Sequence, residues 1–348
     1  MNKIIKNIGQ IVLRLMLSLA IAFVVLIGAC LLTDSDISSA VSAFFLGPLE
    51  DEYAIAEIFR EIVPLIFTGA AVSIMVRCGQ FNMFVEGAFF GGAFLAGVLA
   101  PMLGEMPVLT PLICILASIL AMSLCGAVPA VMKARLGVNE FVSSLMLNYI
   151  VYWIILYLLH GVASDPDYAN ATRYLEDGMR LPFLNEDTEL SSNLLIALAA
   201  ALLSGIFLFF TKWGYAIRTT GDNERFAAYA GIDVKKCVIS SQLIGAGLAG
   251  AGGASFLLGN YYRFSWTSLP NYGFDGFVIA IIAGNNPFAV PLSALFLGYL
   301  RVGALQASRT GSVPNEVIYV IQALIIILFG AQLILKKRKK MRGEDINA

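Results

Sequence analysis

Three stretches of this 348-residue chain set charged or amide side chains inside or beside long apolar runs. The first is Arg77-Cys78-Gly79-Gln80-Phe81-Asn82-Met83-Phe84-Val85-Glu86-Gly87. The second runs Gly137-Val138-Asn139-Glu140-Phe141 and continues to Ser143, Ser144 and Asn148. The third is Tyr272-Gly273-Phe274-Asp275-Gly276-Phe277, followed by Gly284-Asn285-Asn286-Pro287. Such groups are costly in an apolar medium and are functional hypotheses by default. The chemistry they offer is non-covalent, because amides and carboxylates hydrogen-bond either a passing solute or interrupted backbone. Covalent chemistry lacks its parts. The single histidine, His160, ends an apolar run, so neither a Ser–His pair nor a histidine metal cluster is available. The five cysteines, Cys30, Cys78, Cys114, Cys125 and Cys237, show no CxxC or metal-ligand spacing and read as small packing residues. No GxxxxGK[ST] occurs, so the chain carries no phosphate-binding loop of that kind.

Each stretch leaves alternatives open. Gly79 and Asn82 can interrupt a helix, and an interrupted span exposes backbone that must face protein or a water-lined cavity. Glu86 can pair with Arg77, cap the following helix, or line a path. Asn139 suits a helix N-cap, with Glu140 at the positive end that follows. Asn148 stands one turn from Ser144 and two from Glu140, on one face that is either an interhelical seam or a pore lining. The third stretch brackets a short apolar run with turn formers and amides.

The elements that must position these groups are membrane spans. The chain is 58% hydrophobic and 14% charged, against roughly 25% charged for soluble domains. Its apolar runs are continuous, as spanning helices require, and not the short alternating segments of a barrel. The expected fold is an all-α polytopic membrane protein of about ten transmembrane helices. They fall near 13–32, 62–77, 84–100, 110–132, 138–159, 192–211, 237–258, 274–284, 288–307 and 315–335. The eighth is too short to cross as a plain helix and is expected to be broken or re-entrant. The first is read as a retained span, not a removed signal peptide. Small-residue runs such as GAFFGGAFLAG (87–97) and LIGAGLAGAGGAS (243–255) favour close helix packing.

Charge sets the orientation, because basic residues collect on the cytoplasmic side. One side receives most of the 23 basic residues, including Lys3, Lys6, Arg77, Lys133, Arg135, Arg218, Lys235, Lys236 and the tail Lys336 to Arg342. The other side receives acids: Asp34, Asp36, Glu50, Asp51, Glu52, Glu57 and Glu61, then Asp165, Asp167, Glu176, Asp177, Glu186, Asp187 and Glu189. The expectation is one transmembrane domain over 1–348, multi-pass, with both termini cytoplasmic. Residues 33–61 and 160–191 are then extracellular loops, and 336–348 is a cytoplasmic basic tail. If spans 2–5 and 7–10 are repeats, they have inverted topology, an arrangement that often generates broken helices at a transport site.

Between two apolar runs lies a charged cytoplasmic segment, 212–236. Gly221-Asp222-Asn223 can start a short helix with Asn223 as N-cap, and Gly231 is placed to end it. The enclosed residues mix Ala227 and Ala228 with Phe226 and Tyr229. The segment is either an ordinary inter-span loop or a docking helix for a soluble partner.

Five blocks in order, FNMFVEG (81–87), KARLGVNEFVSSLMLNYI (133–150), IRTTGDNERFAAYAGIDVKK (217–236), GAGLAGAGGA (245–254) and GFDGFVIAIIAGNN (273–286), carry a resemblance. The chain resembles permease subunits of bacterial ATP-binding cassette importers of the sugar/nucleoside (branched-chain-type) family, most closely the nucleoside branch. It departs from the family pattern at Phe84, Ala88 and Thr220; the first two lie beside the expected substrate path. The resemblance implies a non-enzymatic transport subunit in the bacterial cytoplasmic membrane, working by alternating access. Its partners would be a cassette ATPase, a second permease (paralogous or identical) and an extracellular solute-binding lipoprotein. No cofactor belongs to this chain; ATP and Mg sit on the ATPase. The segment 212–236 becomes a coupling loop, with Gly221, Asn223, Phe226, Ala227, Ala228, Tyr229 and Gly231 as ATPase-coupling residues. In the family reading Gly221 starts the helix, Asn223 caps it, Ala227 and Ala228 form the close-contact face, and Gly231 stops it. A nucleoside path needs aromatic faces and amides, for which the candidates are Phe81, Asn82, Glu86, Asn148, Asp275 and Asn285. The rival reading is an ion-coupled secondary transporter or channel, which would have to rely on Glu86, Glu140 and Asp275.

Overall fold

The computed structural model describes residues 37–309. Two short helices, α1 (Ile37–Phe45) and α2 (Gly47–Glu50), lead into α3 (Glu52–Arg77). Then come α4 (Val85–Leu103), α5 (Leu109–Leu136), α6 (Glu140–His160) and a polar segment holding a two-stranded ribbon, β1 (Phe183–Asn185) with β2 (Leu190–Ser191). The chain continues through α7 (Asn193–Phe210), α8 (Lys212–Asp222), α9 (Glu224–Tyr229), α10 (Val234–Asn260), α11 (Tyr272–Ile282) and α12 (Val290–Arg309). Among the described residues seven helices, α3 to α7, α10 and α12, are long and apolar enough to span a bilayer, and α11 is the short eighth. These match the second to ninth expected spans. The first and tenth, and the basic tail, lie outside the described residues.

Two compact units divide the chain, Phe59–Ala294 and a second made of the flanking segments 1–58 and 295–348. Within the flanking unit, Tyr299 Oη donates to the Phe45 carbonyl at 2.5 Å and Arg309 pairs with Glu57 at 3.1 Å. The expected loop 33–61 is thus a correction: α1 and α2 occupy part of it, and α3 begins at Glu52. The acids of that stretch read as loop, yet glutamate is a good helix former, and a helix continues past the hydrocarbon wherever its charged turns reach water.

The large unit is built on α3, α4 and α10, the most deeply buried of its spans. Glycines let them touch. A Cβ on Gly253 would stand 1.8 Å from the Phe89 carbonyl oxygen, and one on Gly92 would stand 2.1 Å from that of Gly250. No side chain fits there, so α4 and α10 meet backbone to backbone. The outer spans show the reverse pattern. On α5, Leu112, Leu116, Leu120 and Leu124 are all exposed at one-turn spacing, and α6 and α7 expose Met146, Ile150, Trp153, Leu195, Leu202 and Phe210. A leucine stripe of this extent would be a liability in water and is the expected face toward lipid.

Capping follows the sequence expectation at the α5–α6 corner. Gly137 adopts φ 68° and donates to the Lys133 carbonyl, Asn139 accepts from the Phe141 N–H at 3.0 Å, and Lys133 reaches Glu140 at 2.9 Å. Cys78, Cys114 and Cys237 are buried and Cys125 is half-buried, all as free thiols.

Candidate functional site

Two irregular stretches of the large unit are held by buried side chains, 78–84 between α3 and α4, and 261–271 between α10 and α11. Each stretch leaves backbone donors and acceptors outside the helical ladder, and where they are buried they need partners. In the first, Gly79 takes φ +75°. Asn82 then donates from Nδ2 to Gln242 Oε1 at 2.6 Å, and its Oδ1 accepts the Phe84 N–H at 2.8 Å. Gln242 Nε2 donates to Gln80 Oε1 at 3.3 Å, completing a buried amide chain. From α6, Ser144 Oγ accepts the Met83 N–H at 2.8 Å. Asn148 donates to the Met83 carbonyl at 2.7 Å and accepts the Gly87 N–H at 2.8 Å. The Ser144–Asn148 face thus forms a seam against the backbone of Met83 and Gly87.

The second break is held from the first. Glu86 accepts the Asn271 N–H on Oε1 at 2.7 Å and the Gly273 N–H on Oε2 at 2.5 Å. At the other end of α11, Arg77 donates from Nε to the Asn285 carbonyl at 2.8 Å and from Nη2 to the Gly284 carbonyl at 3.0 Å. Gly284 and Asn285 both take positive φ to stop the helix. A carboxylate thus sits at the positive end of the helix dipole and a guanidinium at the negative end, the favourable arrangement at both termini. With 11 residues, α11 is about 16 Å long, roughly half a hydrocarbon core. It is a half-helix clamped by the residues that flank the other break. Of the three roles open to Glu86, it caps a helix, though α11 and not α4.

Four of the six residues expected on the substrate path are buried. Asn82, Glu86 and Asn148 direct their polar atoms to the protein itself, and Asp275 lies in the first turn of α11. Asn285 is half-buried, with its carbonyl held by Arg77. Phe81 is the exception at 42% exposed, its ring 5.9 Å from Phe141 and 4.6 Å from Phe277. The same unit also exposes Ser265, Thr267, Ser268 and Asn271, which the sequence did not single out, and Phe274 of the third stretch. Trp266, half-buried, stacks on Phe89 at 6.1 Å with an interplanar angle of 4°. The signal for 261–271 was present in its polar, aromatic composition between two apolar runs. The signal for Gln242 was a lone amide inside a span of small residues.

On the polar side, Thr211 caps α8 by accepting the Gly214 N–H at 3.0 Å, and Asn223 caps α9 by accepting the Phe226 N–H at 3.1 Å. Gly231, at φ +80°, ends α9 while the Ile232 N–H turns back to the Ala227 carbonyl at 2.9 Å. The expected loop 212–236 is thus two helices plus the first turn of α10. Gly221 is a second correction. It lies in the last turn of α8 and does not start α9. A Cβ there would stand 2.1 Å from the Arg77 carbonyl oxygen, so α8 rests directly on the end of α3. The alanine pair divides as well: Ala227 is fully buried, whereas Ala228 is exposed beside Phe226 (59%) and Tyr229 (93%). A six-residue helix has one inner face, and Ala227 occupies it.

Seven apolar spans, a half-helix clamped by residues flanking 78–84, and a capped polar helix seated on the end of α3 make up a polytopic membrane protein. Residues 54–330 match the family described as "Branched-chain amino acid transport system / permease component", and the chain belongs to that family. It is 30% identical over 319 residues to the guanosine ABC transporter permease protein NupP of Bacillus subtilis, covering 89% of this chain and 91% of that one. It is 29% identical to the glucose ABC transporter permease protein TsgB13 of Haloferax volcanii (92% and 86% covered). It is 26% identical to the nucleoside ABC transporter permease protein NupB of Lactococcus lactis (86% of each). No solved structure matches.

Proposed function

We propose that this chain is the membrane permease of an ATP-driven nucleoside importer, with α9 as the helix that docks a separate cassette ATPase. The observation that carries the reading is the chain of contacts from α9 to the breaks. The cap of α9 follows α8, Gly221 of α8 rests on the Arg77 backbone, and the Arg77 side chain holds the end of α11. Movement of α8–α9 on ATP binding would reach the half-helix α11 through one residue, and Glu86 would pass it to α4. The basic residues of 212–236 support a cytoplasmic α9, and the acids of 160–191 an outward surface for a solute-binding lipoprotein. Both termini are then cytoplasmic.

Irregular backbone inside a bilayer must face protein or water. The exposed face of the two breaks is therefore the best candidate both for contact with a second permease and for the substrate path. Among the exposed residues of the breaks and of the first turn of α11, Phe81 and Phe274 offer rings to a base, and Ser265, Thr267, Ser268 and Asn271 offer hydrogen bonds to ribose hydroxyls. This replaces the amides Asn82 and Asn148, which the backbone already uses. Likeness to guanosine and nucleoside permeases favours a nucleoside over the sugar of the Haloferax relative.

Base–aromatic stacking is worth roughly 1–3 kcal/mol. Phe81→Ala with Phe274→Ala is therefore expected to raise the guanosine concentration for half-maximal uptake about tenfold, leaving membrane insertion intact. Uptake assays with labelled guanosine and glucose in parallel check this. An unchanged half-saturation, or uptake of glucose alone, overturns the path or the cargo respectively.

A further inference from the structure

We propose that a cavity between the starts of α8 and α10 seats the headgroup of an anionic phospholipid. The cavity is about 310 Å³ and is lined by Lys212, Trp213, Ile232, Asp233, Lys236 and Cys237, among others. By volume it would hold about ten waters, the scale of a phosphoglycerol group.

Its location fits a lipid. The apolar helix α7 ends at Phe210, whose side chain is exposed, and α8 starts two residues later. Trp213 and Tyr215 are exposed in its first turn, and aromatic residues at the end of a span mark the membrane–water boundary. Charge fits too. Two ammonium groups face one carboxylate, and Asp233 is already engaged. It caps α10 by accepting the Lys236 N–H at 3.1 Å and pairs with Lys236 Nζ at 3.2 Å. Those contacts, the backbone hydrogen bond first, hold its carboxyl below the usual range. The wall keeps a net positive charge for a phosphodiester, and juxtamembrane lysines attract anionic lipid. Ile232 and buried Cys237 supply apolar surface, which a free phosphate does not need and a glycerol backbone does. An occupant would brace α8 against α10, the two helices on either side of α9. The proposal rests on the chain's place in a membrane family and not on its cargo or its ATPase.

The test uses the full chain carrying Trp153→Phe and Trp266→Phe, which leaves Trp213 as the single indole of three. Its fluorescence is quenched with brominated phosphatidylglycerol or brominated phosphatidylcholine in symmetric vesicles. Half-maximal quenching is expected at an about fivefold lower mole fraction of the anionic lipid. Lys212→Gln with Lys236→Gln is expected to abolish that preference, and Lys235→Gln to keep it. Equal quenching by both lipids overturns the site. So does an equal loss with Lys235→Gln, which would mean general surface charge, or displacement of the lipid by millimolar inorganic phosphate, which would mean a free-anion site. Should the tryptophan variants fail to fold, native mass spectrometry of the unaltered protein and of the lysine double variant gives the same decision. One phosphatidylglycerol fewer retained by the variant supports the site, and equal retention overturns it.

Discussion

Replacing Phe226 and Tyr229 with alanine is expected to release the cassette ATPase while the permease still folds and inserts. Both rings are largely exposed on α9, Tyr229 at 93% and Phe226 at 59%, so truncating them leaves the buried core of the bundle in place. Aromatic side chains are enriched among the anchors of protein interfaces, and truncating a hot-spot anchor costs about 2 kcal/mol or more. Two together correspond to a loss of affinity on the order of 10²-fold or greater. Co-purification of the ATPase and ATP-dependent uptake should fail together, with thermal stability of the permease unchanged. Ala227→Trp is expected to behave differently, because Ala227 is the buried side of the same helix and overpacking it disturbs the fold. A double variant that retains its ATPase would mean that α9 is not the dock.

Glu86→Gln is expected to abolish uptake while ATPase association persists. The carboxylate places one oxygen on the Asn271 N–H and the other on the Gly273 N–H. A carboxamide keeps one acceptor and turns an NH₂ group against the remaining N–H. A buried donor left without a partner costs about 1–3 kcal/mol, here at the first turn of a helix only 11 residues long. Amides of 272–283 should exchange hydrogen faster than in the unaltered protein, with those of 224–229 unaffected. Loss of uptake with unchanged exchange in α11 would remove Glu86 from its positioning role.

How far these features were legible depends on whether a residue's type or its partner carries the information. Asn223 and Gly231 could be read as cap and stop because each acts on backbone a few residues away. The breaks near Gly79–Asn82 and at both ends of 274–284 were legible because glycine, asparagine and proline interrupt helices wherever they stand. The partners were not legible. Asn82, Glu86 and Asn148 looked like path residues because amides and carboxylates are rare in spans. Their use follows from the breaks themselves, which strand N–H and carbonyl groups that only side chains from other helices reach. Glu86 serves a helix far along the chain, and no local pattern encodes that. Gly221 misled for a related reason: beside Asp222 and Asn223 it reads as a turn, while its role is to let α8 lie on the Arg77 backbone. The start of α3 at Glu52 was obscured because acidic turns beyond the hydrocarbon resemble a loop in composition.

ATP hydrolysis on a partner, acting through α9, is proposed to drive a nucleoside through this chain. The most direct test is labelled guanosine accumulation in proteoliposomes containing the assembled importer, with its binding protein outside and ATP inside. The expected result is accumulation that requires internal ATP and disappears with Phe226→Ala and Tyr229→Ala. Accumulation by this chain alone, driven by an imposed proton or sodium gradient without ATP, would contradict it.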